Sequence, residues 1–582
     1  MDQTNSPNRL LDVIRSDRLV TRRGFVRLLG LGAAIPVGAS LLAACETDDD
    51  DDDVVVDDTD PAAPDDDPDE VDDDVADDED VPDGEPQRGG ILNLAIIEDP
   101  DSMDPAGTIQ ATASSVQAHI YDRLVYISED RTPEPWVAED WEASDDGTEL
   151  TFHIRSGVMF HDGTELDGDA VKQSFERILD PDMASPALAQ MGTLQELELI
   201  DDHSVLFRFE EPYAPFYTNI SISYGGIVSP AAVEEHGDGF GRNPVGSGPF
   251  QFKEWPTGQR IALERFEDYV NYRGDDTNDG AAYVDELHFD IISDVSTRLA
   301  ALESGELDIS DVDRQQAPDI EEDPNFQIIR WEDATNHNFL EFVDREPFNY
   351  PEVRRAIACC VDRQTIVDAA YNGYASPNLL PMPTGLAGWD EEIGMEHGYP
   401  FDLDRAQQIL EDAGWEIGDD GVWTDGEHRL DFTLLFYSGN ENIRVACEIL
   451  QATLNDFGMD VELQVMDFGA MQGVIEEGDF DVNWMRWTWP DPVILSLLFE
   501  SPGWVGQVSD EELDELLLAA DTEMDPDARI DRVQDALRYI LDQAIVAPIL
   551  TDWVINAAGS HVHGYRLDTL GGARYIDVWL EQ

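Results

Sequence analysis

The sequence predicts an α/β protein of two or more lobes, and three observations carry that prediction. Strand-like and helix-like runs alternate from Gly89 to the last residue, Gln582, the texture of a mixed α/β architecture. The chain has 582 residues, more than one hydrophobic core organises. Its hydrophobic content is 42%, ordinary for a folded protein, and no fixed period marks it as a repeat array.

The elements can be justified in order. Ile91-Leu92-Asn93-Leu94-Ala95-Ile96-Ile97 is an apolar run of strand length, and Thr151-Phe152-His153-Ile154-Arg155 alternates with period two. Pro351 suits the first turn of a helix, where its missing N–H costs nothing, ahead of Val353, Ala356 and Ile357. The run Asp404–Ala413 places apolar residues at helical spacing and stops at Gly414, a residue that caps helix carboxyl ends. Ala446, Ile449, Leu450, Leu454 and Phe457 make a second such face, ended by Gly458. Ser509 with Glu512 reads as a capping box before Leu513, Leu516 and Leu517.

Charge is the most unusual property. The chain has 127 acidic and 34 basic residues, for a formal net charge of −93, and only Lys172 and Lys253 are lysines. Self-repulsion on that scale destabilises a compact state at low salt. At molar salt the Debye length falls to ~3 Å and most of that cost disappears. An acidic, lysine-poor chain therefore points to a halophilic environment, and it argues against nucleic-acid binding, which needs a basic footprint.

The amino terminus reads as an address and an anchor. Arg22 and Arg23, within Thr21-Arg22-Arg23-Gly24-Phe25-Val26-Arg27, form a twin-arginine export signal. The apolar, Gly- and Ala-rich stretch Leu28–Ala44, about seventeen residues, is at the low edge for spanning a bilayer and reads as a targeting segment outside the fold. It closes on Leu42-Ala43-Ala44-Cys45, which resembles a lipoprotein processing box, so Cys45 is the expected lipidation site and first mature residue. Residues 46–88 are Asp-rich, with an unbroken acidic run from Asp48 to Asp53. Too little apolar surface is present there to offset chain entropy, so an extended, solvated tether is expected. Beyond Cys45, three cysteines remain (Cys359, Cys360 and Cys447), which make neither a disulfide framework nor a spaced metal site and read as small core residues.

Several ordered blocks stand out along the folded part of the chain. The first block is Ala138-Glu139-Asp140-Trp141 with Ser144, Asp146-Gly147, Thr151-Phe152 and Ile154-Arg155, continuing through Gly157–Thr164 to Asp169-Ala170-Val171 and Ser174-Phe175. Others are Asn243–Phe250, Leu299-Ala300-Ala301-Leu302 with Ser304–Ile309, Val353–Ile357 with Asp362-Arg363, and Ala413-Gly414-Trp415. Together these blocks resemble one family, the extracellular solute-binding proteins of family 5, the dipeptide, oligopeptide and nickel type that serves ABC importers. The resemblance implies a two-lobed periplasmic-binding-protein-like clamshell of type II with an extra subdomain. Lobe I is then expected at about 89–109, 236–335 and 556–582, the subdomain at about 110–235 and lobe II at about 336–555. Hinge closure over the ligand would create the shape that a permease recognises.

For the ligand, the segment Trp484-Met485-Arg486-Trp487-Thr488-Trp489-Pro490-Asp491-Pro492 is the leading candidate, with Trp484, Arg486, Trp487, Trp489 and Asp491 lining a cleft. Aromatic faces supply contact area and cation–π attraction. In peptide-binding relatives the corresponding stretch carries an aspartate for the peptide's α-amino group. Here the stretch is shorter, so Asp491 is either that residue or a later Asp-Pro of the pattern with the anchor lost. Ser102, Met103 and Asp104, in the loop after the first strand, are expected to face ligand, as are Tyr224 and Gly225.

His161-Asp162-Gly163 reads as a tight turn rather than a metal site. Gly246-Ser247-Gly248 lacks the lysine of a phosphate loop and is followed by Pro249. No G-x-S-x-G nucleophile motif occurs, so no catalytic residue, metal or cofactor is expected. The resulting expectation is a monomeric, lipid-anchored protein on the outer face of the cytoplasmic membrane. It would capture a short peptide or similar solute and deliver it to an ABC permease and its ATPase subunits. An oligosaccharide or chelated nickel as cargo, or a sensory role, remain open alternatives.

Overall fold

The computed structural model describes residues 85–332, 335–501 and 509–581; Arg22, Arg23, Cys45 and nearly all of the acidic stretch lie outside the described residues. In chain order, β1 (Ile91–Ile96) is followed by the four subdomain strands β2 (Ala138–Ala143), β3 (Glu149–Ile154), β4 (Leu194–Asp201) and β5 (Ser204–Phe209). The chain returns through β6 (Phe250–Glu254), β7 (Arg260–Arg265), β8 (Glu286–Ile291), β9 (Ile309–Asp311) and β10 (Phe326–Trp331). It then builds β11 (Asn336–Phe342), β12 (Ala375–Pro377), β13 (Asp431–Tyr437), β14 (Asp460–Met466), β15 (Val482–Thr488) and β16 (Val546–Asp552), and comes back in β17 (Val554–Gly559).

These strands form two large mixed sheets and a smaller antiparallel one. Lobe I holds seven strands in the order β10-β17-β9-β1-β8-β7-β6, lobe II six in the order β12-β16-β11-β15-β13-β14, and the subdomain four in the order β2-β3-β5-β4. β1 lies between parallel partners β8 and β9, and Leu92, Leu94 and Ile96 point into the lobe I core. β3 alternates half-buried and buried residues from Glu149 to Ile154, as period-two patterning requires of a sheet with one face on a core.

The helices follow their local signals. The helix Pro351–Cys359 begins on its proline. The helix Glu441–Phe457 buries Ala446, Leu450 and Leu454 and ends at Gly458 in the left-handed region, φ 97°. One expected cap shifts by a residue: Asp510, not Ser509, accepts the backbone N–H groups of Glu512 and Leu513, the N-cap role that aspartate and serine share. Cys359, Cys360 and Cys447 are free thiols inside the lobe II core.

Lobe boundaries also move for packing reasons. The helices Ala111–Ile120 and Pro230–His236, expected within the subdomain, place Val116, Ile120 and Ala232 in the lobe I core, whereas the subdomain's own core runs mainly from Leu124 to Ile227. The return crossing falls at Trp553 rather than at 555–556, because β17 already pairs with β10 from Val554 and with β9 from Asn556. Among the described residues no helix is long and apolar enough to cross a membrane.

Candidate ligand cleft

Strand direction locates the cleft. In lobe I, β1, β8, β9 and β10 run the same way, so Ile96, Ile291, Asp311 and Trp331 share one edge with Val554, the first residue of antiparallel β17. In lobe II, β13, β14 and β15 end at Tyr437, Met466 and Thr488, on the same edge as Asn336, Asp552 and Ala375. The chain passes between the sheets twice, from Trp331 to Asn336 and from Asp552 to Val554. Both passages join these two edges, so the carboxyl ends of the parallel strands face each other, the position where open α/β sheets bind ligands.

The crossing is a packed joint. Trp553 lies between the lobes and donates its indole N–H to Ser376 Oγ at 2.7 Å. Tyr374 donates its hydroxyl to Glu321 Oε2 at 2.8 Å. Arg314, in lobe I between β9 and the helix Ala317–Glu321, reaches Asp552 Oδ2 at 3.2 Å and the Trp553 carbonyl at 2.5 Å. It also lies over the Tyr371 ring at 5.7 Å.

Along β15 burial falls toward the cleft edge, from buried Trp484 and Met485 to half-buried Arg486 and Trp487 and exposed Thr488. Arg486 pairs across the ladder with Asn338, and its Nε is 3.6 Å from Asp552 Oδ1. Asp552 raises the affinity of that guanidinium for its proton, against the opposing effect of burial. Trp487 and Trp489 lean on the rim of the lobe II core, and Trp489 ties its backbone N–H to Thr335 O at 3.1 Å. Tyr437, at the end of β13, completes this face; burial pushes its hydroxyl pKa up.

Away from the crossing a second contact joins the lobes. Asp491 is 1% exposed and accepts two hydrogen bonds from Arg529, at 2.6 and 2.9 Å. It also accepts the hydroxyl of Thr218, from the subdomain, at 2.7 Å. Burial pushes the Asp491 carboxyl up, but Arg529 outweighs it and holds the group below its usual range. Beside it Ala214 N donates to Asp521 O at 2.9 Å, and Met524 packs against the subdomain core.

The expected site residues therefore separate. Arg486 and Trp487 are half-buried near the carboxyl edge of the lobe II sheet, and half-buried Trp489 follows just beyond it. Asp491 does not present a free carboxylate, because Arg529, Thr218 and the Val493 N–H occupy it. Trp484 is fully buried and donates to Asn338 Oδ1 at 3.1 Å. Met103 is in the lobe I core, and Asp104 is consumed by Arg177 at 2.5 and 2.9 Å. Ser102 accepts the Asp104 N–H at 3.1 Å, closing that loop on itself. Gly225 is buried where a Cβ would lie 1.9 Å from Ile220 O, a close backbone approach, and Tyr224 leans on the subdomain core. His161 joins two family blocks, its Nε2 2.9 Å from Gly248 O. Sequence reading missed Asp552, Arg314 and Tyr437. A single aspartate closing the apolar strand Val546–Asp552 before Trp553 was the available signal.

A hollow of about 600 Å³ in lobe II, lined by Arg363, Asn378, Trp389 and Phe401, reaches Glu332 and Ser376 at the crossing but includes none of Arg486, Trp487 and Trp489. Arg363 turns from it to give hydrogen bonds to the carbonyls of Asn378, Pro548, Val361 and Tyr399.

Two mixed sheets joined at facing carboxyl edges by two adjacent passages define a solute-binding clamshell. The chain belongs to the bacterial extracellular solute-binding proteins, family 5, whose family model matches residues 132–506. It is 24% identical over 498 residues to the glutathione-binding protein GsiB of Salmonella paratyphi A, a match covering 82% of this chain and 92% of that one. With the di/tripeptide-binding protein 2 of Pseudomonas aeruginosa it shares 26% over 518 residues, covering 83% and 93%. The structure of HbpA2 from Haemophilus parasuis has the same fold, with a TM-score of 0.75 at 24% identity over 85% of this chain and all of that one.

Proposed function

We propose that this protein is the substrate-binding component of an ABC importer, capturing a short peptide or similar small solute between its lobes and presenting the closed form to a permease. The observation that carries the reading is the half-buried set Arg486, Trp487 and Trp489 at an edge where the two sheets face each other beside their crossing. A guanidinium recognises a planar anionic group and indoles offer broad apolar faces. The glutathione- and di/tripeptide-binding names of the relatives favour peptides as cargo. Titration calorimetry in molar salt with tripeptide and saccharide pools, paired with small-angle scattering, tests it. Saturable tripeptide binding with a fall in radius of gyration is expected; saccharide binding without peptide binding overturns the cargo.

The same reading has the monomeric protein exported by the twin-arginine route, anchored through lipid on Cys45 outside the cytoplasmic membrane, and working in brine. Molar salt screens a net charge of −93 over ~3 Å. Cys45→Ala is expected to move the protein from the membrane fraction into the medium. Retention in the membrane fraction would show that another segment anchors it.

A further inference from the structure

At the base of the cleft two basic side chains converge on one acidic one. Acidic residues outnumber basic ones 127 to 34, yet here two guanidiniums, Arg314 and Arg486, share the one carboxylate of Asp552. Arg314 also lies over the neighbouring Tyr371 ring at 5.7 Å.

The two arginines are held differently. Arg314 is engaged with Asp552 Oδ2 at 3.2 Å, Trp553 O at 2.5 Å and Tyr374 O at 3.4 Å. Arg486 has 24% of its side chain exposed, and its Nε stands 3.6 Å from Asp552 Oδ1, beyond a direct hydrogen bond. Arg354, also in lobe II, spends its donors on backbone, bonding the carbonyls of Ala544, Phe348 and Gln543. Arg486 makes no such bond among the described residues. Its partner is fixed in place, since Asn336 donates to Asp552 O at 2.6 Å and accepts from Asp552 N at 3.1 Å. Asn338, itself oriented by Trp484, lies 3.5 Å from Asp552 Oδ1.

We infer that the solute carries an anionic oxygen group, a carboxylate foremost, which Arg486 receives, and that Asp552 is the positioning residue linking this contact to the hinge through Arg314. The inference rests on the reading of this cleft as the solute site. An anion on Arg486 supplies the close acceptor that Asp552, 3.6 Å from its Nε, does not. It also lessens the pull of Arg486 on Asp552, which leaves that carboxylate to Arg314 across the lobe boundary. Ligand contact in lobe II thereby strengthens a lobe I contact, the differential interaction that closure requires.

The test uses the full-length protein in molar salt with three probe sets: tripeptides with a free carboxyl terminus, the same tripeptides amidated there, and citrate with succinate. Calorimetry reads affinity and scattering reads contraction. Wild type is expected to prefer the free acids by about tenfold or more, the worth of a charge-assisted pair. Arg486→Gln should erase that preference. Asp552→Asn, with Arg314→Gln as the second variant should the first not fold, should keep the preference but lose much of the contraction. Equal binding of acids and amides, unchanged in Arg486→Gln, overturns the anion site and leaves solute capture standing. Binding of citrate or succinate without tripeptides removes the peptide reading and supports the anion site. No binding of any carboxylate overturns the inference. If Asp552→Asn and Arg314→Gln leave contraction intact, or lose it only in step with affinity, the link to the hinge is overturned.

Discussion

Asp491→Ala is expected to cost about 3–5 kcal/mol, because it strands the Arg529 guanidinium in a site built for an ion pair. Arg529 is mostly buried, with 13% of its side chain exposed, and Thr218 loses its acceptor in the same step. One feature of the site moderates the loss. Asp521 is nearby and buried, and burial pushes its carboxyl up to about 7, with Asp491 adding to the rise. Without Asp491 that carboxyl ionises more readily and partially replaces the lost partner, so the cost should sit at the lower end above neutral pH. The double variant Asp491→Ala, Asp521→Asn removes this substitute and should reach the upper end. Since Thr218 belongs to the subdomain and Asp491 to lobe II, the single variant should also enlarge the radius of gyration. Hydrogen exchange over residues 494–499 and 526–542, with scattering in molar salt, reads both effects. A change below about 1 kcal/mol, typical of an exposed ion pair, would mean that the pair is solvated.

The fold was legible because its signals are local and its blocks are specific. β1, β3 and the two glycine-stopped helices need only their own residues to be recognised, and the first family block maps onto consecutive subdomain strands and the helix Gly168–Leu179. Less of the lobe II edge was legible. Arg486, Trp487 and Trp489 stood out by composition, and Arg486 and Trp487 lie half-buried near the end of β15. Composition could not tell which of three neighbouring tryptophans turns inward, a matter of strand alternation and depth along β15. It also could not reveal that Asp491 is consumed by an arginine 38 residues later. Asp552 is farther still from its partners, 238 residues from Arg314. Ser102, Met103 and Asp104 misled for the same reason: Arg177, which occupies Asp104, comes 73 residues on.

The largest electrostatic effect should follow from Asp276, in the loop between β7 and β8. Its side chain is fully enclosed and accepts from Asn271 at 2.8 Å, Arg566 at 2.6 Å and Arg574 at 2.5 Å. Arg574 and Arg273, both nearly buried, lie 5.9 and 4.9 Å from the Trp136 ring, and Arg123 lies 5.5 Å from it. The carboxylate thus holds the carboxyl-terminal segment and the Asn271–Asp279 loop against the subdomain. Asp276→Ala leaves Arg566 and Arg574 short of a partner, and a cost of about 5 kcal/mol is expected, the upper end for breaking a buried pair. Asp276→Asn mimics the protonated acid and should cost less. Burial pushes the Asp276 carboxyl up, but Arg574 and Arg273 outweigh it and bring it from 3.8 to about 2. A folded-state value below the unfolded one means that ionisation stabilises the fold, fully above about pH 4 and progressively less as pH falls through about 2. Nearly two units correspond to roughly 2 kcal/mol. Hydrogen exchange over residues 271–280 and 566–577 should therefore separate wild type from Asp276→Asn by that amount at pH 6, and the gap should close toward pH 2. A gap that stays constant with pH would assign the loss to packing rather than to charge.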